Sequence, residues 1–222
     1  MKKIISVDKK ETVFQVNMKR AHDLFSYPKK QAMYQTSSPL WVNYGFGIKG
    51  GPGKSPDSCI LDLFESYAVF DCERTAQAVM LISALELLGT RRFNLAFLNK
   101  PIKIRKSQPF HIEYKRNDVL QLHHLKSEKD IKIGDWLYIE NSKNYLKNNP
   151  NGRFSGEHVI AVNKKNGTML YTGFLNKYKE MTYLEFKKML AQAGNCKISE
   201  IQGFTKNKGY ILARRINQKN TH

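Results

Sequence analysis

Acidic residues are scarce in this 222-residue chain: 19 Asp and Glu stand against 37 Lys and Arg, for a formal charge of +18. An imbalance that large favours acidic partners by long-range steering. The basic residues are spread along the chain without a long arm, and no nucleic-acid motif accompanies them. A basic solvated surface is therefore expected, and no nucleic-acid partner. Cysteine is equally sparse. Cys59, Cys72 and Cys196 are an odd number at irregular spacing, which excludes a disulfide framework and a zinc pattern. They fit a reducing compartment or a protein that tolerates a free thiol.

Long apolar runs are missing too. Met1 to Ile5 begins like a signal peptide, but Asp8, Lys9, Lys10 and Glu11 cut off any apolar core. The stretch between Arg74 and Arg91-Arg92 holds about a dozen apolar-rich residues, too short to span a bilayer. The expectation is a soluble chain, cytoplasmic or exported without a cleavable signal, a spore coat or a secreted effector being conceivable settings. There is no internal repeat and no low-complexity region. With 41% hydrophobic and 25% charged residues the composition is that of a globular protein long enough to bury a full core.

What is present centres on Cys72. The stretch Val69-Phe70-Asp71-Cys72-Glu73-Arg74-Thr75 opens into an apolar run from Ala76 to Leu88 that stops at Gly89. This reads as a buried helix with a thiol in its first turn, where free N–H groups and the macrodipole favour the anion. A thiolate is the nucleophile of cysteine acyl transfer. The placement predicts a depressed thiol pKa, moderated by Asp71, Glu73 and Glu157. The bland alternative is an inert buried cysteine.

Around this helix, residues 1–40 read as an N-terminal extension, 41–217 as the main domain and 218–222 as a tail. Thr12 to Val16 alternates like a short strand, and Lys19 to Tyr34 reads as helical on either side of Pro28. Trp41 to Gly47 is a strand leading to the Gly-rich loop, and Ser58 to Ser66 a short helix. Phe93 to Leu98 and Pro101 to Tyr114 are mixed and basic. Trp136 to Ile139 is a strand, Asn141 to Phe154 a polar loop, Thr182 to Ala193 a helix and Gly209 to Ile216 a last strand. Glu157–Val162 and Thr168–Phe174 form a hairpin around Asn166-Gly167. One thiol-bearing helix followed by an antiparallel sheet describes an α+β fold.

Gly47-Ile48-Lys49-Gly50-Gly51-Pro52-Gly53-Lys54-Ser55 imitates a phosphate-binding loop. It carries one residue too many before Gly-Lys-Ser, and Pro52 removes an N–H that the cradle needs. A flexible loop is the better reading. His123 and His124 point to opposite faces of any strand and have no metal-spaced partner, so they read as surface residues. His111 reads as structural, Cys59 as core, Cys196 as loop or surface.

A cysteine nucleophile needs a proton-transfer partner, and the candidates are Glu157 and His158 in Gly156-Glu157-His158-Val159-Ile160. Neighbours on a strand face opposite ways, so without a bulge only one of them can point at Cys72. Pairing outward from the Asn166-Gly167 turn puts Ala161 opposite Thr172 and Val162 opposite Tyr171. Glu157 then shares a face with Thr172 and Phe174, and His158 with Tyr171 and Gly173. The bland readings are a rim charge for Glu157 and a core histidine for His158.

Phe70-Asp71-Cys72, Phe93-Asn94, Gly134-Asp135-Trp136-Leu137-Tyr138 and Gly156-Glu157-His158-Val159-Ile160 resemble the small protein-glutamine γ-glutamyltransferases of spore-forming bacteria. Those enzymes carry Phe-Glu-Cys, Gly-Asp-Cys-Leu-Tyr and Gly-Glu-Asn-Val-Ile in the same order at similar spacing. The resemblance runs from Tyr44 to Phe174 and more loosely to Ile216. It implies a papain-like α+β core, the Cys helix packed on an antiparallel sheet, no cofactor, and acyl transfer from a protein glutamine to a lysine. It makes Cys72 the nucleophile and matches Asp71 and Glu157 to the family's acidic residues. The family's second-strand His falls at Thr172 here, and its Asn at His158. Papain-like cell-wall peptidases place their His in a similar strand, so a peptidase or isopeptidase using Cys72–His158 is the alternative. A non-catalytic basic binding module is the third reading. The implied partners are glutamine-donor and lysine-acceptor proteins, acidic ones by charge.

Overall fold

The computed structural model describes residues 11–27, 35–44, 47–97, 101–105, 119–150, 152, 154–174, 176–177 and 179–217. The first half runs α1 (Val13–Leu24), β1 (Phe25–Ser26), β2 (Gln35–Thr36), β3 (Trp41–Tyr44), β4 (Gly47–Gly50), α2 (Pro56–Leu63), β5 (Ala68–Val69), α3 (Cys72–Leu88), α4 (Thr90–Ala96) and β6 (Lys103–Arg105). The second runs β7 (Leu120–Leu125), β8 (Trp136–Glu140), α5 (Tyr145–Asn148), β9 (Gly156–Lys165), β10 (Thr168–Gly173), β11 (Met181–Thr182), α6 (Tyr183–Gly194), β12 (Gly203–Phe204), β13 (Lys206–Asn207) and β14 (Tyr210–Ile216). The architecture is mixed α+β. His111 lies outside the described residues.

α3 is the axis of the molecule. Every residue from Cys72 through Leu85 is buried, as a helix surrounded on all sides must be. Its start is fixed by Asp71, whose carboxylate accepts from Arg74 N at 2.9 Å and also pairs with the buried Arg74 guanidinium. Its end is fixed by Gly89 at φ 77°, whose N–H bonds back to Leu85 O.

α1 corrects the reading of Thr12–Val16 as a strand. Thr12 caps the helix through its side-chain oxygen, and the Gln15 side chain accepts from Thr12 N at 2.6 Å. This reciprocal pair satisfies two orphan donors and outweighs a five-residue alternation. The buried side of α1 carries Phe14, Met18 and Ala21 into the same apolar core as α3, and Asn17 Nδ2 donates to Ser83 Oγ at 3.2 Å. Past α1, β1 pairs in parallel with β5, and Phe70 N donates to Ser26 O at 2.9 Å. The N-terminal segment therefore braces the strand that leads into Asp71-Cys72. The polar loop expected over Asn141–Phe154 contains the short helix α5.

The main sheet has the order β11-β10-β9-β8-β14-β13, with β12 against β8 and β7 against β14. Side chains alternate cleanly across it. Trp136, Ile160, Val162 and Phe174 join the core around α3, while Leu137, Ile139, Val159, Ala161 and Tyr171 join a second core under α6. Two layers of helix thus cover the two faces of one sheet. The hairpin forms around Asn166-Gly167 as expected, but its register does not follow the simple count. A bulge between Leu170 and Tyr171 places Tyr171 opposite Ala161, Thr172 opposite Ile160 and Gly173 opposite Val159. One extra residue exchanges the faces of all that follows. Thr172 therefore shares its face with His158, and Glu157 shares one with Tyr171 and Gly173.

Candidate active site

Cys72 takes the first position of α3 and keeps only 9% of its surface exposed. Its sulfur meets the edge of β9 rather than a face of the sheet. Ala161 N donates to Asp135 O and Asn141 N to Ser155 O, both at 2.9 Å, so the odd-numbered residues of β9 bond toward β8. His158, at an even position, turns its N–H to the opposite side. There β10 has run out, its last pair being Gly173 with Val159. The Cys72 sulfur accepts this N–H.

Glu157 closes the notch. It is fully buried, and its carboxylate lies over Gly173, where an added Cβ would sit 2.6 Å from Oε1. A glycine at that position leaves the room the carboxylate fills. Both neighbours on β9 therefore act on the Cys72 sulfur electrostatically, Glu157 by its carboxylate and His158 by its main-chain N–H. The expectation that only one could do so assumed that the thiol approaches a strand face.

The thiol is not acidified. Burial pushes its pKa well above the ordinary cysteine value, and the negative charges of Glu157, Asp71 and Glu73 push it further, against the His158 N–H alone. This overturns the expected depression: the helix terminus counts for less than desolvation beside three carboxylates.

His158 lies on the sheet face that packs toward α3, but its ring is engaged by β8. Trp136 Nε1 donates to His158 Nδ1 at 3.0 Å, and the Tyr138 ring lies 4.4 Å away, centroid to centroid. Burial lowers the imidazole pKa to about 3, with Asp71 opposing and Arg214 adding to the shift. The ring is neutral at any ordinary pH. Thr172 is buried, and its hydroxyl has no hydrogen-bond partner among the described residues.

The remaining candidates lie elsewhere. Cys59 is fully buried in the core, and Cys196 is half-buried after α6. His123 and His124 fall on β7, with His124 exposed. Among the described residues no group of three His, Cys, Asp or Glu could hold a metal ion, and no helix is long and apolar enough to cross a membrane. The sequence reading missed Trp136 as a partner of His158. Its signal was the spacing: across β8 and β9 a residue opposite Ile160 is the diagonal neighbour of His158.

No protein-family model and no curated protein matches the sequence. Among solved structures, a transglutaminase from Geobacillus stearothermophilus, without its C-terminal extension, matches with a TM-score of 0.61 at 17% identity, over 92% of this chain and 87% of that one. The likeness is one of fold: the mixed α+β architecture is transglutaminase-like.

Proposed function

We propose that the protein is a cysteine-dependent acyltransferase acting on glutamine side chains, with Cys72 as nucleophile and Glu157 as the proton-transfer group. The observation that carries this reading is the notch at the end of β10, where Cys72 Sγ, the Glu157 carboxylate and the His158 N–H converge. The transglutaminase-like fold supports it.

A thiol held in its neutral form must lose its proton as it attacks. Transfer to Glu157 keeps a single negative charge in the buried notch, so no further charge is desolvated. The sulfur adds to the γ-carboxamide carbon, and the oxyanion is held by main-chain N–H groups of the first turn of α3. Collapse breaks the C–N bond, the amide nitrogen takes the proton from Glu157, and ammonia departs. A lysine amine then attacks the thioester, gives its proton to Glu157 and expels the sulfur, which is reprotonated. Water in place of the amine leaves a glutamate.

Peptidase chemistry through Cys72–His158 is disfavoured because the indole N–H occupies the imidazole lone pair. Mass spectrometry of a glutamine-rich protein incubated with the enzyme and a primary amine tests the reading. Amine incorporation at glutamine, or deamidation without the amine, is expected, and both vanish in Cys72→Ala. Backbone cleavage, or no change with Cys72 intact, overturns it.

A further inference from the structure

We propose that Trp136 is a positioning residue of the Cys72–Glu157 notch, acting through His158: its indole N–H clamps the imidazole and so aims the His158 main-chain N–H at the sulfur. The inference rests on the functional reading above. An indole nitrogen only donates, so the imidazole atom facing it presents its lone pair. A neutral imidazole has one such pair, and its other nitrogen carries the proton. His158 is thereby removed from proton transfer and fixed in orientation by the same bond.

The grip comes from two residues of β8. Trp136, opposite Ile160, reaches His158 diagonally, and Tyr138 lies directly opposite His158 with its ring at 4.4 Å. Trp136 is itself seated by Arg214, its partner on β14, whose guanidinium lies 5.7 Å from the ring centroid. The residue that takes this clamp on its side chain is the one whose amide meets Cys72. Displacing the ring therefore tilts the donor. The charged and titratable groups around the imidazole are Tyr138 from β8, Asp71 at the start of α3, Arg214 from β14, and Cys72 and Glu157 in the notch.

Trp136→Phe removes the donor and keeps an aromatic ring. Two measurements read the result. With iodoacetamide, alkylation of Cys72 below its titration midpoint slows by about tenfold, because a weakened N–H···S bond disfavours the anion; Cys196 serves as an unchanged internal reference. In acyl transfer, kcat falls by about tenfold at constant KM for the glutamine substrate. Made in a chain that already carries His158→Asn, Trp136→Phe costs little more, because the two substitutions are non-additive. A tryptophan that only fills space would alter thermal stability and neither rate. Wild-type alkylation and wild-type kcat in Trp136→Phe overturn the proposal.

If that variant does not fold, nitrogen NMR of the wild-type protein decides. A His158 ring with an unprotonated Nδ1 from about pH 5 to about pH 8 is expected, and one that titrates in that range overturns the proposal. Alkylation and NMR need no substrate, so failure of the clamp is read separately from failure of the acyl-transfer reading, which shows as no amine incorporation by the intact enzyme.

Discussion

Two helix starts in this protein invite the same interpretation, and what faces them sets them apart. The Gly-rich loop feeds α2, and the Phe70-Asp71 segment feeds α3. At α2 the amides that would cradle an anion are spent inward: Gly50 N bonds Ile102 O, Gly51 N bonds Leu40 O and Lys54 N bonds Gly51 O. The helix end already holds its own anion. Burial would raise the Asp57 pKa, but hydrogen bonds from Ser55, Asn94 and the backbone outweigh it and hold the carboxyl below its ordinary value. At α3 the cap is also internal, but the first residue meets the vacant edge of a strand. A helix terminus supplies a favourable field. What that field acts on is set by whatever element ends opposite it, here β10, which stops one residue short of covering His158.

The comparison breaks most sharply where the chain enters each helix. Cys72→Ala is expected to reduce amine incorporation by at least about a thousandfold, since no other group in the notch can form the acyl intermediate. Lys54→Ala, at the start of α2, should stay within about twofold, as an exposed substitution away from the chemistry does. Initial rates with one glutamine substrate compare the two directly. A loss of comparable size at Lys54 would place a working anion site at α2.

The second test lies between the neighbours on β9. Glu157→Gln keeps the shape of the carboxylate but cannot take a proton, and a loss of about a hundredfold or more in kcat is expected. His158→Asn should cost far less, within about tenfold, because the contribution to the sulfur is the main-chain N–H, which asparagine retains. Rate profiles of the two variants, measured at equal enzyme folding, check the ranking. A larger loss at His158 would return the proton transfer to the imidazole.

The helix and the hairpin around this site were legible in the chain, and the reasons are local. Asp71 before an apolar run and Gly89 after it mark α3 at both ends, and Asn166-Gly167 marks the turn between β9 and β10. The capping pair Thr12 and Gln15 was equally legible, but a five-residue alternation competed with it, and the reciprocal bonds won. The bulge, which leaves Val162 of β9 unpaired across from Leu170–Tyr171, carries no glycine or other mark in the sequence. It inverted every face assignment after it. Nor could residue types reveal that Cys72 docks on a strand edge, because that depends on where β10 stops. The sign of the thiol shift followed from the same oversight: a helix terminus suggests acidity, whereas burial against Glu157 and Asp71 opposes it.

The smallest effect tests how deeply the α3 end is enclosed, and it is a slope of stability with pH. The His158 pKa is about 3 in the folded chain against an ordinary 6.5. A group with a depressed folded value contributes stability that is fully present above the unfolded pKa and is lost as pH falls through the interval toward the folded one. Below the ordinary value the unfolded chain binds a proton that the native imidazole refuses, and folding weakens by about 1.4 kcal/mol per pH unit from this residue alone. Between about pH 6 and about pH 4.5 most carboxylates are still ionised, so the histidine share is resolvable there. Urea midpoints across that window should fall less steeply in His158→Asn than in the parent, whatever the substitution does to absolute stability. Equal slopes in the parent and His158→Asn would mean that the imidazole reaches solvent and that the end of α3 is as open as the end of α2.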